Sequence, residues 1–252
     1  MLTDTHAHLD DPAFAGDLPD VLRRAREAGV GRIVTIGTSL ESSRRAREIA
    51  EREPDVWFAP GIHPHEADAP GDVDALRELA GHPRAVAVGE TGLDYFKNYA
   101  SVPNQKALFI RQLEIAAEAG KPVTIHCRDA HPDCLEILRA HAPLRGVIHC
   151  FTGDAAAVEG YLGLNFFLSI AGPVTYPNAK DLRETLRYIP LENLLVETDC
   201  PLLAPQAKRG TRNEPAYVAY TAAEIAAARE LPVDEVRAAT SANAARLFGF
   251  GP

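Results

Sequence analysis

The chain has 252 residues, 24% of them charged, a formal net charge of −9 and four cysteines. A polypeptide of this length buries about three quarters of the surface it exposes when unfolded, so it needs no disulfide framework, and four irregularly spaced cysteines read as reduced thiols. The acidic balance argues against broad salt-driven binding to nucleic acid, and the absence of any run of about 18 apolar residues or of a basic-flanked apolar leader argues against membrane spanning and secretion; a soluble, cytoplasmic protein is expected.

Eight short apolar runs, at residues 2–5, 32–36, 56–60, 85–89, 122–125, 146–148, 165–170 and 194–198, read as buried parallel strands. Between the first two, Leu18, Val21, Leu22, Ala25 and Ala28 recur at helical spacing with Arg23, Arg24 and Glu27 outward, and Gly29 ends the run as a C′ glycine. Further amphipathic helices are predicted at 41–52, 73–80, 105–119, 132–140, 155–162 and 179–188. Asn213, Glu214 and Pro215 read as an N-cap, an acidic first turn and an early proline of a helix running to about 229, and a last helix spans 233–247. The alternation predicts an α/β fold, a TIM (β/α)8 barrel in one domain over residues 1–252. A barrel is favoured over a doubly wound sheet because the candidate ligands come from both extremes of the sequence, and only closure puts the first strand beside the eighth.

Those ligands follow the strands. His6 and His8, two residues apart after the first run, point to one side and can grip one cation. Glu90 follows the fourth run between Gly89 and Gly92, and its two oxygens can bridge two cations. His126 and His149 each end an apolar strand in a His-Cys pair, and neutral imidazole is the commonest metal ligand. Asp199, after the eighth run, can ligate a cation and accept a proton from water. His63 and His65 follow the third run as ligands, substrate hydrogen-bond donors or groups supporting the ligands. Cys127, Cys150 and Cys200 each directly follow a ligand, so alternation sends them away from the barrel mouth into the sheet–helix layer; Cys134 lies farther off, and no Cys–His catalytic pair is proposed. His82, His131 and His141 read as surface residues.

Taken in order, Asp4-Thr5-His6-Ala7-His8-Leu9, Gly61-Ile62-His63-Pro64, Gly89-Glu90-Thr91-Gly92-Leu93-Asp94, Ile125-His126-Cys127-Arg128, Ile148-His149-Cys150-Phe151-Thr152-Gly153 and Glu197-Thr198-Asp199-Cys200-Pro201, with Arg209-Gly210 and Asn213-Glu214-Pro215, resemble the TatD family of metal-dependent deoxyribonucleases across nearly the whole chain. The resemblance implies a barrel of the amidohydrolase-like superfamily with its metal site at the C-terminal strand ends. It implies that His6 and His8 hold one metal, His126 and His149 the other, that Glu90 bridges, that Asp199 completes the first, and that His63 lies close by at the phosphate. The implied activity is metal-dependent phosphodiester hydrolysis, a 3′–5′ exonuclease on DNA ends, single-stranded or 3′, with RNA as a further substrate. The implied cofactors are two divalent ions, Mg²⁺, Mn²⁺ or Zn²⁺; imidazole-rich ligation by itself suits Zn²⁺, Mn²⁺ or Ni²⁺ better than Mg²⁺.

Catalysis is assigned to Asp199, Glu90, His63 and Arg128, and substrate binding to His63, His65, Arg128, Lys208, Arg209 and Arg212, the basic residues forming a phosphate-facing rim. Tyr95 and Phe96 are candidates to stack a terminal base. Gln206-Ala207-Lys208 before Arg209, and Thr211 after Gly210, depart from the family pattern, which bears on substrate contacts and not on the metal set. A monomer with a cationic mouth is expected. Two other readings keep the same residues: a hydrolase of amides, esters or lactones, and a non-catalytic metal-binding interaction protein.

Overall fold

The computed structural model describes residues 1–97 and 99–250. Eight parallel strands, β1 (Leu2–Ala7), β2 (Val30–Ile36), β3 (Val56–Ala59), β4 (Val88–Asp94), β5 (Val123–Arg128), β6 (Gly146–Ile148), β7 (Phe166–Ile170) and β8 (Leu194–Val196), pair in chain order as a three-stranded and a five-stranded sheet. Parallel bridges at Phe58–Ala85 and Ala7–Cys200 join the sheets, reinforced by bonds from the amides of Val86 to Phe58 O (2.9 Å), His8 to Cys200 O (2.8 Å) and Asp199 to His6 O (2.9 Å). The ring therefore closes β1 against β8, and the expected (β/α)8 barrel is the fold.

The surrounding helices are α1 (Leu18–Glu27), α2 (Leu40–Arg52), α3 (Leu76–Ala80), α4 (Val102–Ala119), α5 (His131–Ala140), α6 (Ala155–Leu162), α7 (Lys180–Thr185), α8 (Val218–Arg229) and α9 (Val233–Phe248). Two predicted helices are partly tighter than expected, opening or closing with 3₁₀ turns at Val73–Ala75 and Leu186–Tyr188. Two apolar cores result. The larger lies between sheet and helices, from Leu2 and Val21 through Phe109 and Ile225. The smaller fills the barrel interior with Val34, Trp57, Val147, Phe167 and Leu195, and α9 plugs its lower end with Leu247 and Phe248.

Asn213 does not cap a helix. It is buried, its side-chain amide donates to Thr198 O (2.8 Å) and Leu202 O (2.6 Å), and its Oδ1 accepts from the Glu214 amide (2.9 Å). Both ends of the loop after β8 are thereby tied to one side chain. Glu214 likewise pairs with Arg24 of α1 and with Arg212 instead of serving a helix dipole.

The barrel plug generates a stability prediction. Truncating Phe248 to alanine opens a cavity at this end of the barrel core, costing about 3–5 kcal/mol. Urea unfolding checks this, and divalent-metal affinity at the opposite rim should stay unchanged; a loss below about 1 kcal/mol, the range of tolerated core swaps, would mean the plug is dispensable.

Candidate metal centre

Local irregularities aim the ligands inward. The β1–β2 register slips between Asp4 and Ala7, and the β4–β5 register slips between Val88 and Thr91. Each slip is a bulge that re-aims a side chain, bringing His6 and Glu90 to the barrel mouth. β4 accordingly starts later than expected and runs on through Glu90 to Asp94. Gly89 (φ +148°) and Gly92 (φ +131°) make this possible: a Cβ on either would strike a carbonyl of β5, that of Thr124 or of His126. Asp199, at φ +58°, is held over His6 by its own amide, while buried Asp4 accepts from the Thr198 amide (2.9 Å) and hydroxyl (2.6 Å) just before it.

The donor atoms fall on two sides of Glu90. Its Oε2 lies 3.4 Å from His6 Nε2 and 3.7 Å from His8 Nε2, and those nitrogens lie 3.6 and 3.3 Å from Asp199 Oδ1. Its Oε1 lies 2.9 Å from His149 Nε2, 3.0 Å from His126 Nδ1 and 3.5 Å from His63 Nε2. Three sets have all donor atoms within 4.8 Å of one another: His6–His149–Asp199, His6–His8–Glu90 and His63–Glu90–His126. Imidazole nitrogens also face each other at 3.3 Å, His6 with His8 and His126 with His149. Converging lone pairs repel unless a proton or a cation lies between them, so this donor set fits divalent metal.

The back of each ring sorts ligand from donor. A metal-binding imidazole presents a bare nitrogen and donates from the other. His8 Nδ1 faces Ile36 O (3.1 Å), His149 Nδ1 faces Glu197 Oε1 (3.2 Å) and His126 Nε2 faces Asp94 Oδ2 (3.1 Å); these partners only accept, which frees the front nitrogens. His63 is reversed. Its Nδ1 accepts from the His65 amide (3.1 Å), so in the neutral ring the proton sits on Nε2, and His63 is a hydrogen-bond donor at the mouth. Glu197 and Asp94 go unassigned from motif spacing, although Glu197 shares the inward parity of Asp199. Asp94 also takes a bond from His65 Nε2 (2.9 Å) and from the amides of Phe96 and Lys97 (2.9 Å each).

Charge follows from burial and neighbours. Burial pushes the Asp4 carboxyl up to about 8. Burial likewise opposes charge on Glu90, but facing His149 and His63, with bonds from His126 and His149, hold it well below the usual carboxylate range. Desolvation lowers His63 to about 4, leaving it neutral at pH 7. For His8, burial is outweighed by Asp199 and Glu90, which lift it to about 9. Without metal, protons take the place of cations.

The centre opens into a cavity of about 820 Å³, walled by His8, His63, His65, Arg128, Asp199 and Leu202 among others. Acidic Asp10, Asp11, Glu66 and Asp129 share that wall with Arg45, Lys97 and Arg128, so the mouth is mixed in charge. Of the residues expected to form a basic rim, Arg128 lies in this wall and Lys208, Arg209 and Arg212 lie outside it. Arg212 is engaged by Asp17 (2.8 Å), Glu214 (2.9 Å) and the Ala13 carbonyl (2.6 Å), which makes it a tie between α1 and the loop after β8. Lys208 lies over Tyr217 and Arg209 over Tyr176, and the cavity wall includes none of the three.

Phe96 stands 53% exposed in the wall with the Arg128 guanidinium 4.0 Å above its ring, whereas Tyr95 donates to Asp133 (2.6 Å) and packs. Cys127, Cys134 and Cys200 are buried as expected, with Cys127 also reaching the cavity wall. Cys150 instead lines the cavity, because φ +43° there breaks the strand alternation. His131 is no free surface residue: it contacts Cys127 Sγ (3.3 Å) and the Tyr161 hydroxyl (2.9 Å).

Because His8 titrates near 9 without metal, a cation captured by it at neutral pH must expel a proton, and apparent affinity should rise about tenfold per pH unit for each proton expelled, flattening above that pKa. Calorimetry in buffers of differing ionisation enthalpy counts the protons. Zero release at neutral pH would remove His8 as a ligand.

A sequence profile described as TatD-related DNase matches residues 3–249. The chain is 41% identical to the uncharacterized metal-dependent hydrolase YabD of Bacillus subtilis, over 98% of this chain and 99% of that one. It is 38% identical to a Klebsiella pneumoniae protein named 3′-5′ ssDNA/RNA exonuclease TatD, over 98% and 97%. A crystal structure of YJJV, a TatD homolog from Escherichia coli K12, superposes with a TM-score of 0.94 at 32% identity, over 99% and 98% of the two chains. With the barrel and the donor set at its mouth, these matches place the chain in the TatD-related DNase family of metal-dependent hydrolases.

Proposed function

We propose that this protein is a metal-dependent phosphodiesterase that removes nucleotides from the 3′ end of single-stranded DNA, and of RNA, using two divalent cations. The observation that carries the reading is Glu90, whose two oxygens face separate histidine groups at the floor of a cavity whose wall sets Arg128 over Phe96. In this reading His6, His8 and Asp199 hold one cation, His126 and His149 the other, and Glu90 spans both. The family match over residues 3–249 and an outer apolar layer running from Leu2 to Val236 support one catalytic domain over the whole chain. The strand polarity and the single-stranded substrates rest on the activity named for the Klebsiella relative. A pocket of this volume suits a strand end better than a continuous duplex.

Bound divalent ions would activate water and offset phosphate charge. Burial opposes charge on Asp199, but the His8 hydrogen bond and the facing His149, His6 and His8 together hold its carboxyl below the usual range, so it can take the proton from the attacking water. His63, neutral and with its proton on Nε2, donates to a phosphoryl oxygen, and Arg128 adds a fixed positive charge at the rim. Phe96, under Arg128, stacks the terminal base.

Two measurements test this. Metal-stripped protein given Mg²⁺, Mn²⁺ or Zn²⁺ should shorten a 5′-labelled single-stranded oligonucleotide from its 3′ end, with no products from Asp199→Ala. If no metal supports cleavage while carboxylic esters or amides are hydrolysed, the carbonyl-hydrolase reading replaces this one. For Phe96→Ala, loss of one stacking contact of about 1–2 kcal/mol should raise KM roughly tenfold with kcat near its parent value; an unchanged KM removes Phe96 from substrate binding.

A further inference from the structure

Three of the four metal-site histidines have an acceptor behind the ring, whereas the Nδ1 of His6 is fully buried and has no hydrogen-bond partner among the described residues. A neutral imidazole that ligates through Nε2 must carry its proton on Nδ1, so a ligating His6 would bury an unsatisfied N–H donor, costing about 1–3 kcal/mol. A complementary orphan lies close by. Glu197, 1% exposed, accepts from His149 Nδ1 (3.2 Å) and the Cys150 amide (2.6 Å) through Oε1, while its Oε2 is buried and unpartnered. The His6 and His149 rings are stacked, with centroids 3.9 Å apart and planes within 16°. Their Nε2 atoms both face Glu90, one toward each oxygen.

We propose that Glu197 is a positioning residue for both halves of the metal centre, the common acceptor for the Nδ1–H of His149 directly and of His6 through one buried water. This rests on the two-cation reading. A buried water is held by polar groups otherwise unsatisfied, and the two orphans supply one donor and one acceptor for it. Glu90 and Glu197 then clamp the stacked rings from opposite edges: Glu90 sets the spacing of the metal-facing nitrogens, and Glu197 fixes the tautomers that leave those nitrogens bare.

The arrangement makes Glu197→Gln asymmetric. The Cys150 amide can only donate, so the carboxamide oxygen must take the Oε1 position and keep serving His149. Its NH₂ then occupies the Oε2 position, so the water that accepts from His6 loses its own acceptor and would be buried with its hydrogens unpaired. Zn²⁺ titrated into metal-stripped protein should bind the wild type at two sites. In Glu197→Gln one site should keep its affinity and the other, containing His6 and His8, should weaken by roughly ten- to a hundredfold, the usual cost of losing such a partner. Nitrogen-15 NMR of the Zn²⁺-loaded proteins provides a readout independent of turnover: slowly exchanging Nδ1–H signals from both His6 and His149 in the wild type, and only that of His149 retained in Glu197→Gln. Two unaltered affinities in Glu197→Gln, or loss of the His149 signal instead, would overturn the role given to Glu197 while leaving the two-cation centre standing. A wild type that binds no Zn²⁺ would overturn both. Should Glu197→Ala fail to fold, the isosteric glutamine variant still decides.

Discussion

Glu90 is 3% exposed at the end of a barrel otherwise filled with aliphatic and aromatic side chains, and an ionised carboxylate in such a place is tolerated only with positive charge or hydrogen-bond donors against both oxygens. Much of the architecture at the mouth answers that demand. The bulges in β1 and β4 bring His6 and Glu90 inward, the glycines at 89 and 92 let β4 press onto β5, and the histidines arrive from four strand ends. Removing any one imidazole leaves a share of that buried charge exposed to its neighbours, so the ligands are coupled through Glu90 before any metal arrives.

The same logic extends outward one layer. His126 and His65 share Asp94, His8 leans on the Ile36 carbonyl, His149 on Glu197. Asp94 is itself anchored by Gln105 of α4, whose side chain bonds both the Asp94 amide (2.8 Å) and its carbonyl (3.0 Å). Asn213 and the Arg24–Glu214–Arg212–Asp17 network do the corresponding work for Asp199 by holding the ends of its loop. The arginines nearest in sequence to the eighth strand are engaged elsewhere, leaving Arg45, Lys97 and Arg128 in the cavity wall.

The barrel and the inward residues are legible in the sequence because each rests on short-range periodicity: apolar runs of strand length, helices with one apolar face, and an ordered series of histidines and acids at strand ends. What periodicity misses are the places where the backbone leaves it. Residues 85–89 read as the fourth strand, yet the strand begins at Val88 and continues through Gly-Glu-Thr-Gly, a stretch that looks like a loop until the bulge is seen. Positive φ at Cys150 turns a residue expected in the outer layer toward the cavity. The contacts of Arg212, Asn213 and His131 escape the sequence for another reason: their partners Asp17, Thr198 and Tyr161 are distant or unremarkable in sequence, and a polar side chain's partner is not encoded in its own neighbourhood.

Closure at the β1–β8 seam carries a consequence for how the centre comes into being. Asp4 and Thr198, bonded side chain to backbone across that seam, are separated by 194 positions, and His6 and Asp199 stand on the same two segments. During synthesis His6 and His8 are made first, and Asp199 follows only 191 positions after His8. Until then the early histidines form an incomplete chelator. The full donor group at this seam thus exists only in a closed barrel, and the contact that shuts the ring is the one that assembles it.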